Sequence, residues 1–224
     1  GRVQTPVLAM IVQRDHEIRV FRPEPFWELF TRYRDTWFKF RGERFAAREG
    51  GQQLLEKTRG RPFRIVRVLA REERTPPPLL YDLTELQRDM NRRFGMSAAD
   101  VLSTAQSLYE AKLITYPRTD SRYLSSAMRE ELPGIMRSLA DAFLQEVSKL
   151  DLAKLPIAAG TSRIIDDRRV GDHHAIIPTG AATGSLSGPR ERVYRAVAIR
   201  LIAAFYPACR KAITTVDGES NEVP

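Results

Sequence analysis

Tyr116 is followed at once by Pro117 and then by Arg118, within the run Leu113-Ile114-Thr115-Tyr116-Pro117-Arg118-Thr119-Asp120-Ser121-Arg122-Tyr123-Leu124. A phenol therefore stands two residues from a guanidinium. Proline lacks a backbone donor and biases the preceding residue toward extended geometry, so Tyr116 is expected at a strand end or on a loop. A phenol can form covalent intermediates, but with a pKa of about 10 it is mostly protonated at neutral pH. A guanidinium held nearby favours the phenolate and can grip phosphate oxygens with paired hydrogen bonds. Phosphoryl transfer is the chemistry this pairing suits. By itself the pair also has a plainer reading, a core tyrosine with a hydrogen-bonded hydroxyl.

A second string with chemical potential is Gly171-Asp172-His173-His174-Ala175-Ile176-Ile177-Pro178-Thr179, which holds two of the three histidines of the chain. Adjacent side chains diverge in regular structure, and neither a cysteine cluster nor a second histidine cluster supplies further ligands, so a metal site is not predicted there. An imidazole beside a phosphate can instead hydrogen-bond or protonate an oxygen. Asp166-Asp167 is adjacent rather than spaced, and reads as a solvated loop.

The chain has 224 residues, enough for one large or two modest domains, and 42% of them are hydrophobic, as in a globular protein. Lys and Arg number 36 against 28 Asp and Glu, a net charge of +8. An anionic partner fits that balance, and nucleic acid is the commonest large one. The single cysteine, Cys209, excludes an internal disulfide framework and a cysteine-rich zinc site, which favours a reducing, cytoplasmic setting. No run approaches the roughly 20 apolar residues of a membrane span, and no signal peptide opens the sequence. The start at Gly1 without methionine and the stop at Pro224 suggest a piece of a longer protein.

Several elements must position the two strings. Val7, Leu8, Ile11, Val12 and Ile18 recur at near-helical spacing, predicting a helix from about Thr5-Pro6. Phe26–Tyr33, Trp37–Phe45 and Phe63–Leu69 are aromatic and β-branched, and predict one small antiparallel sheet with a short helix at Gln52–Lys57. Thr75-Pro76-Pro77-Pro78 is a stiff linker. Thr84 with Gln87, and Ser97 with Asp100, are capping signatures for two helices separated at Gly95; Val101, Leu102, Ala105, Leu108 and Tyr109 share a core face. Arg88, Arg92 and Arg93 can face phosphate or water.

From 125 to 155 one or two helices are expected, capped at Ser125 or Ser126 and broken at Pro133-Gly134, with Ile135, Leu139, Phe143, Val147 and Leu150 as core. Residues 156–189, with Gly160, Gly171, Gly180, Gly184 and Gly188, read as a loop-rich stretch, and loops of such length inside a domain are often functional. A helix over Arg192–Phe205, stopped by Pro207, and a strand over Ala212–Asp217 that rejoins the first sheet complete the chain.

The run around Tyr116 closely resembles the active-site motif of type IA DNA topoisomerases, in its Tyr-Pro-Arg form the topoisomerase III branch. The string around His173 resembles a second signature of that family, and Gly-Arg-Val-Gln-Thr-Pro-Val-Leu-Ala-Met-Ile-Val at the start resembles a third segment. The resemblance covers nearly the whole chain. It implies an α+β fold in which a helical, winged-helix-like domain carrying the catalytic tyrosine is inserted in a small antiparallel β gate or hinge domain. Residues 1–22 would end a helical DNA-binding domain, 23–77 and 210–224 would form the gate, and 78–209 the inserted domain.

The same resemblance implies that Tyr116 is the nucleophile, that Arg118 and His173 serve the phosphate, and that Arg2, Gln4, Thr119, Asp120 and Ser121 lie along single-stranded DNA. His174 receives no role. It further implies Mg2+ in the full-length enzyme, held by an N-terminal acidic Asp-x-Asp domain; no Asp-x-Asp occurs in this chain. The partners implied are single-stranded DNA and that missing domain, with no membrane, in the cytoplasm of a bacterium at the nucleoid. Without the acidic domain the chain by itself is expected not to relax supercoils.

A different functional class stays open on the residues themselves. Two helices followed by an extended segment also suit a non-catalytic winged-helix module that reads duplex DNA. A tyrosine recombinase or relaxase would share the nucleophile, but its separated catalytic arginines or histidine-rich metal motif find no match here.

Overall fold

The computed structural model describes residues 1–157 and 163–224. Gly160 of the long loop region thus lies outside the described residues. The chain forms two compact units, one of Gly1–Glu72 with Ala212–Pro224, the other of Glu73–Lys211.

The first unit opens with helix α1 (Gln4–Val20), which buries no side chain. Its apolar positions, Leu8 and Ile11 among them, are exposed, and ion pairs Arg14–Glu17 and Arg19–Asp15 run along its surface. Strands β1 (Phe30–Tyr33) and β2 (Thr36–Lys39) form an antiparallel hairpin with Tyr33 opposite Thr36. Arg34 and Asp35 turn it with φ of 45° and 57°. Two successive positive φ values give the primed turn whose twist matches the flanking strands.

Helix α2 (Arg48–Thr58) follows, and strand β3 (Phe63–Thr75) pairs with strand β4 (Cys209–Ser220). The single sheet expected from sequence is therefore two separate two-stranded pairs. Alternation identifies strands but not partners, since pairing is set by contacts far apart in sequence. Gly218 fits because any Cβ there would collide with the Phe63 ring. Among the described residues of this unit only Val223 is buried.

The second unit carries the hydrophobic core. Helices α3 (Leu83–Phe94) and α4 (Ala98–Glu110) pack together, and α4 packs on the long helix α7 (Gly188–Ala204). Between α4 and α7 lie α5 (Leu132–Leu139), the short α6 (Leu144–Val147) and 3-10 turns at Ser126–Glu130, Leu152–Ile157 and Asp167–Arg169. Leu86, Met90, Val101, Ala105, Leu108, Val193, Val197 and Leu201 meet in the interior. Each fully buried Leu or Val there contributes roughly 1.5–3 kcal/mol relative to exposure.

Several boundaries differ from expectation, each for a local reason. Helix α3 is capped by Asp82, whose carboxylate accepts the Glu85 N–H at 2.6 Å, and not by Thr84. Asp82 and Thr84 both offer capping oxygens, and with Asp82 as cap the helix gains its first turn over residues 83–85. Pro133-Gly134 opens α5 instead of breaking a helix, because proline in a first turn forfeits no hydrogen bond. By the same rule α7 starts at Gly188, with Pro189 in its first turn. Ser97 caps α4 as expected, accepting the Asp100 N–H at 3.1 Å, and Gly95 closes α3 with φ 65°.

A polar knot ties α3, α7 and the segment that enters the unit. The buried Tyr81 hydroxyl donates to the Asp89 carboxylate, while the Arg200 guanidinium lies 3.9 Å above the Tyr81 ring centroid and 3.8 Å from Asp89. Burial, and then the bond to Asp89, push the Tyr81 phenol up to about 12. An unfolded phenol titrates near 10, so between about pH 10 and 12 the folded chain holds a proton that the unfolded chain releases. The contribution is full below about pH 10 and is lost as pH rises through about 12. Urea midpoints measured at stepped alkaline pH are expected to fall across that window. Tyr81→Phe is expected to flatten the fall without removing it, since burial also raises Tyr194.

Candidate active site

Helix α4 ends one turn before the tyrosine, in a reversal at Lys112. That residue takes a left-handed φ of 58°, the Leu113 N–H donates to the Leu108 carbonyl at 2.9 Å, and the Lys112 N–H donates to the Tyr109 carbonyl at 2.8 Å. This is the usual way a helix is closed, with lysine where glycine is commoner. Thr179 Oγ1 donates to the Lys112 carbonyl at 2.6 Å and fixes the reversal from outside.

Beyond it the two informative strings are laced together. Ile114 bridges Pro178, and the Thr115 N–H donates to the Ile177 carbonyl at 2.9 Å. Thr115 Oγ1 donates to the Ala175 carbonyl and accepts the Ile177 N–H, both at 3.0 Å. The Ala175 N–H donates to the Tyr123 carbonyl, and the Ile176 N–H to the Tyr81 carbonyl, both at 2.8 Å. Strings more than fifty positions apart thus form one surface, anchored by buried Ile114, Ala175, Ile176 and Ile177.

Tyr116 lies on the loop just past the bridge, half-buried. Its ring centroid is 4.3 Å from that of His173, at 42° between planes, and 5.4 Å from that of Tyr109, at 78°. Arg118 is exposed on the same loop, and among the described residues it has no ion pair or hydrogen bond. Its guanidinium is available to an incoming anion. The chemistry within reach is a phenol, an imidazole and an unsatisfied cation beside one open surface.

Thr119 and Ser121 are buried and hold the two strings in register. Thr119 Oγ1 donates to the His173 carbonyl at 3.0 Å and accepts the Ser121 N–H at 3.1 Å. Ser121 Oγ donates to the Arg169 carbonyl at 2.8 Å and accepts the Tyr123 N–H at 3.2 Å. Asp120 is exposed. His174 hydrogen-bonds the Ala175 carbonyl through Nδ1 at 2.8 Å; a carbonyl only accepts, so Nδ1 carries the proton. Arg2 and Gln4 are exposed at the start of α1, in the first unit.

Removing the Thr119 hydroxyl leaves the His173 carbonyl and the buried Ser121 N–H each short of a partner. Thr119→Val is therefore expected to cost about 1–3 kcal/mol of unfolding free energy in urea titration, with Thr119→Ser close to the parent.

Of the other arginines on α3, Arg88 pairs with Glu85 at 2.8 Å and Arg93 with Asp89 at 3.4 Å. Asp166 caps its own 3-10 turn, and Asp167 accepts the Ser126 N–H at 2.8 Å, a bond that holds its carboxyl below the ordinary range. Among the described residues no group of three or more His, Cys, Asp or Glu side chains is suited to a metal ion, and no helix is long and apolar enough to cross a membrane. Tyr109 is the neighbour that the periodicity misplaces. Helical spacing puts it on the core face, yet it is 39% exposed and turned to Tyr116. The one signal pointing the other way is its place at the edge of the stripe, seven residues after the half-buried Leu102.

A family sequence model described as DNA topoisomerase matches residues 1–224. The chain is 38% identical over 231 residues to DNA topoisomerase 3 of Shouchella clausii, covering 99% of this chain and 31% of that protein. It is 36% identical over 236 residues to DNA topoisomerase 3 of Bacillus subtilis, covering 98% and 32%. The chain thus spans about a third of the length of these curated relatives. Its fold is similar to full-length topoisomerase I from Thermotoga maritima, with a TM-score of 0.71 at 21% identity, covering all of this chain and 36% of that one.

Proposed function

The chain belongs to the type IA DNA topoisomerases, on the topoisomerase III branch, and from that premise we propose that Tyr116 is the nucleophile that cuts single-stranded DNA. The Tyr116 oxygen attacks a backbone phosphorus, the bond from phosphorus to the 3′-oxygen breaks, and a 5′-phosphotyrosyl ester forms. The proton lost by the phenol is matched by the one gained by the 3′-hydroxyl, so neither proton nor bond energy is consumed. A second strand passes through the gap, the 3′-hydroxyl attacks back, and ATP is not required.

The observation that carries this reading is the packing of His173 against the Tyr116 ring from a string far away in sequence. A merely structural tyrosine has no need of an exposed imidazole on one side and an unsatisfied guanidinium two residues along. Arg118 neutralises charge on the non-bridging phosphate oxygens as attack proceeds, and His173 orients the same group. Thr119 and Ser121 act by holding the strings together, Asp120 lies beside the bound strand, and Arg2 and Gln4, each in the first unit, contact single-stranded DNA on their own unit.

Among the described residues no cluster of carboxylates or imidazoles fits the Mg2+ implied by the family. We assign that ion to an acidic domain outside these 224 residues, and no step above runs through it. For the same reason the chain alone should not relax supercoils. Residues 1–22 would close the DNA-binding domain, 23–77 and 210–224 would form the gate, and 78–209 would carry the tyrosine, in an enzyme working on the DNA of a bacterial cytoplasm.

The test is covalent capture. The full-length protein is incubated with a 5′-labelled and, separately, a 3′-labelled single-stranded oligonucleotide, then denatured. Label retained on protein only from the 3′-labelled strand supports a 5′-phosphotyrosyl link. Binding confined to a particular duplex sequence, with no covalent product, would favour the winged-helix module instead.

A further inference from the structure

We infer that Tyr109 is a positioning residue for Tyr116, a fixed aromatic wall that sets where the phenol oxygen lies. This rests on the nucleophilic role proposed for Tyr116.

Among the described residues the Tyr116 hydroxyl makes no hydrogen bond. Its place therefore depends on what touches the ring. Among the described residues two rings do so, and they differ in how the side chain is held. His173 is exposed on a loop, and its imidazole has no hydrogen-bond partner among the described residues. Tyr109 stands in the last turn of α4, whose neighbour Leu108 is fully buried. The helix end is locked by the bonds to Lys112, Leu113 and Thr179 described above. The reversal at Lys112 folds the chain back so that Tyr116 meets the turn it has just left. Edge-to-face geometry, 5.4 Å at 78°, is the favoured arrangement of such pairs.

The Tyr109 hydroxyl has no hydrogen-bond partner among the described residues, so the ring alone carries the interaction. A phenylalanine keeps that ring; an alanine removes it. An aromatic pair of this kind corresponds to roughly a 3- to 10-fold effect on an equilibrium or rate.

The experiment uses the full-length protein and the single-stranded oligonucleotide capture. At saturating DNA, Tyr109→Ala is expected to lower the capture rate roughly 3- to 10-fold with oligonucleotide affinity unchanged, and Tyr109→Phe is expected to restore the parent rate. A rate unaltered in Tyr109→Ala overturns the inference, as does a loss that Tyr109→Phe shares. In parallel, fluorotyrosine is incorporated and the Tyr116 resonance assigned through Tyr116→Phe. That resonance should shift and broaden in Tyr109→Ala and stay in place in Tyr109→Phe. An unmoved resonance contradicts positioning even if no capture occurs in any variant. Absence of capture by the parent protein would instead count against Tyr116 as nucleophile, so the two failures are told apart.

Discussion

Tyr116→Phe is expected to abolish covalent capture of single-stranded DNA by the full-length protein, on the order of 10⁴-fold or more, while leaving the fold and strand affinity in place. The magnitude follows because, on the proposed mechanism, the substitution removes the atom that carries the phosphoryl group; the pathway is then lost, not weakened. Its selectivity follows from the surroundings. The ring contacts to Tyr109 and His173 survive in phenylalanine, and no hydrogen bond to the hydroxyl among the described residues is lost. Stability should therefore change by no more than about 0.5 kcal/mol, as for other substitutions that touch no structural partner. Denaturing gels of the oligonucleotide reaction give the capture, and a filter or anisotropy assay gives the affinity. Capture persisting in the variant would move the nucleophile elsewhere. Tyr123, whose ring lies under the Arg169 guanidinium at 5.0 Å, would be the next residue to change.

The parts of this site carried by contiguous residues are legible in the amino-acid sequence alone. Tyr-Pro-Arg announces an extended tyrosine followed by a cation, and Ser97 with Asp100 announces the start of the helix that delivers it; both are effects of neighbours along the chain. Partnerships across long separations are not legible. Nothing local says that β4 pairs with β3 and leaves the β1–β2 hairpin to itself, or that Thr119 reaches the His173 carbonyl. Tyr109 escapes for a subtler reason. Periodicity reports roughly which face of a helix a residue occupies, but not how wide the buried stripe is; Val101, Ala105 and Leu108 are buried while Leu102 and Tyr109 lie at its edge. The α3 cap falls on Asp82 and not on Thr84, although both are competent acceptors, so residue type alone does not choose between them.

The division into two units also bears on the chemistry. The tyrosine is held by a unit with a closed interior, whereas the described part of the other unit buries only Val223 and leaves α1 without a buried side chain. The nucleophilic role proposed for Tyr116 needs one fixed geometry, which a unit with a closed interior supplies. The backbone lacing of 113–124 to 173–179 extends that stiffness to the loop itself, so that the strings carrying phenol and imidazole move together.

Arg118→Ala is expected to slow capture by roughly 10²- to 10³-fold, the second largest effect, with Arg118→Lys recovering only part of it. A preorganised donor aimed at oxygens that gain charge in the transition state contributes about 3–4 kcal/mol when the alternative is water. Arg118 begins with a favourable position for that role, since no carboxylate among the described residues has to be displaced. It is exposed, so its removal should leave the melting temperature unchanged. Lysine keeps the charge but cannot offer two parallel donors to two phosphate oxygens, which is why the rescue should be incomplete. On the proposed mechanism cleavage and resealing pass through the same charged phosphorane, so the rate of strand rejoining from a trapped 5′-phosphotyrosyl complex is expected to fall by a similar factor. That symmetry separates transition-state stabilisation from simple attraction. An arginine that only draws DNA to the surface would raise the apparent dissociation constant, its effect would fade as salt is increased, and rejoining of an already tethered strand would proceed at the parent rate.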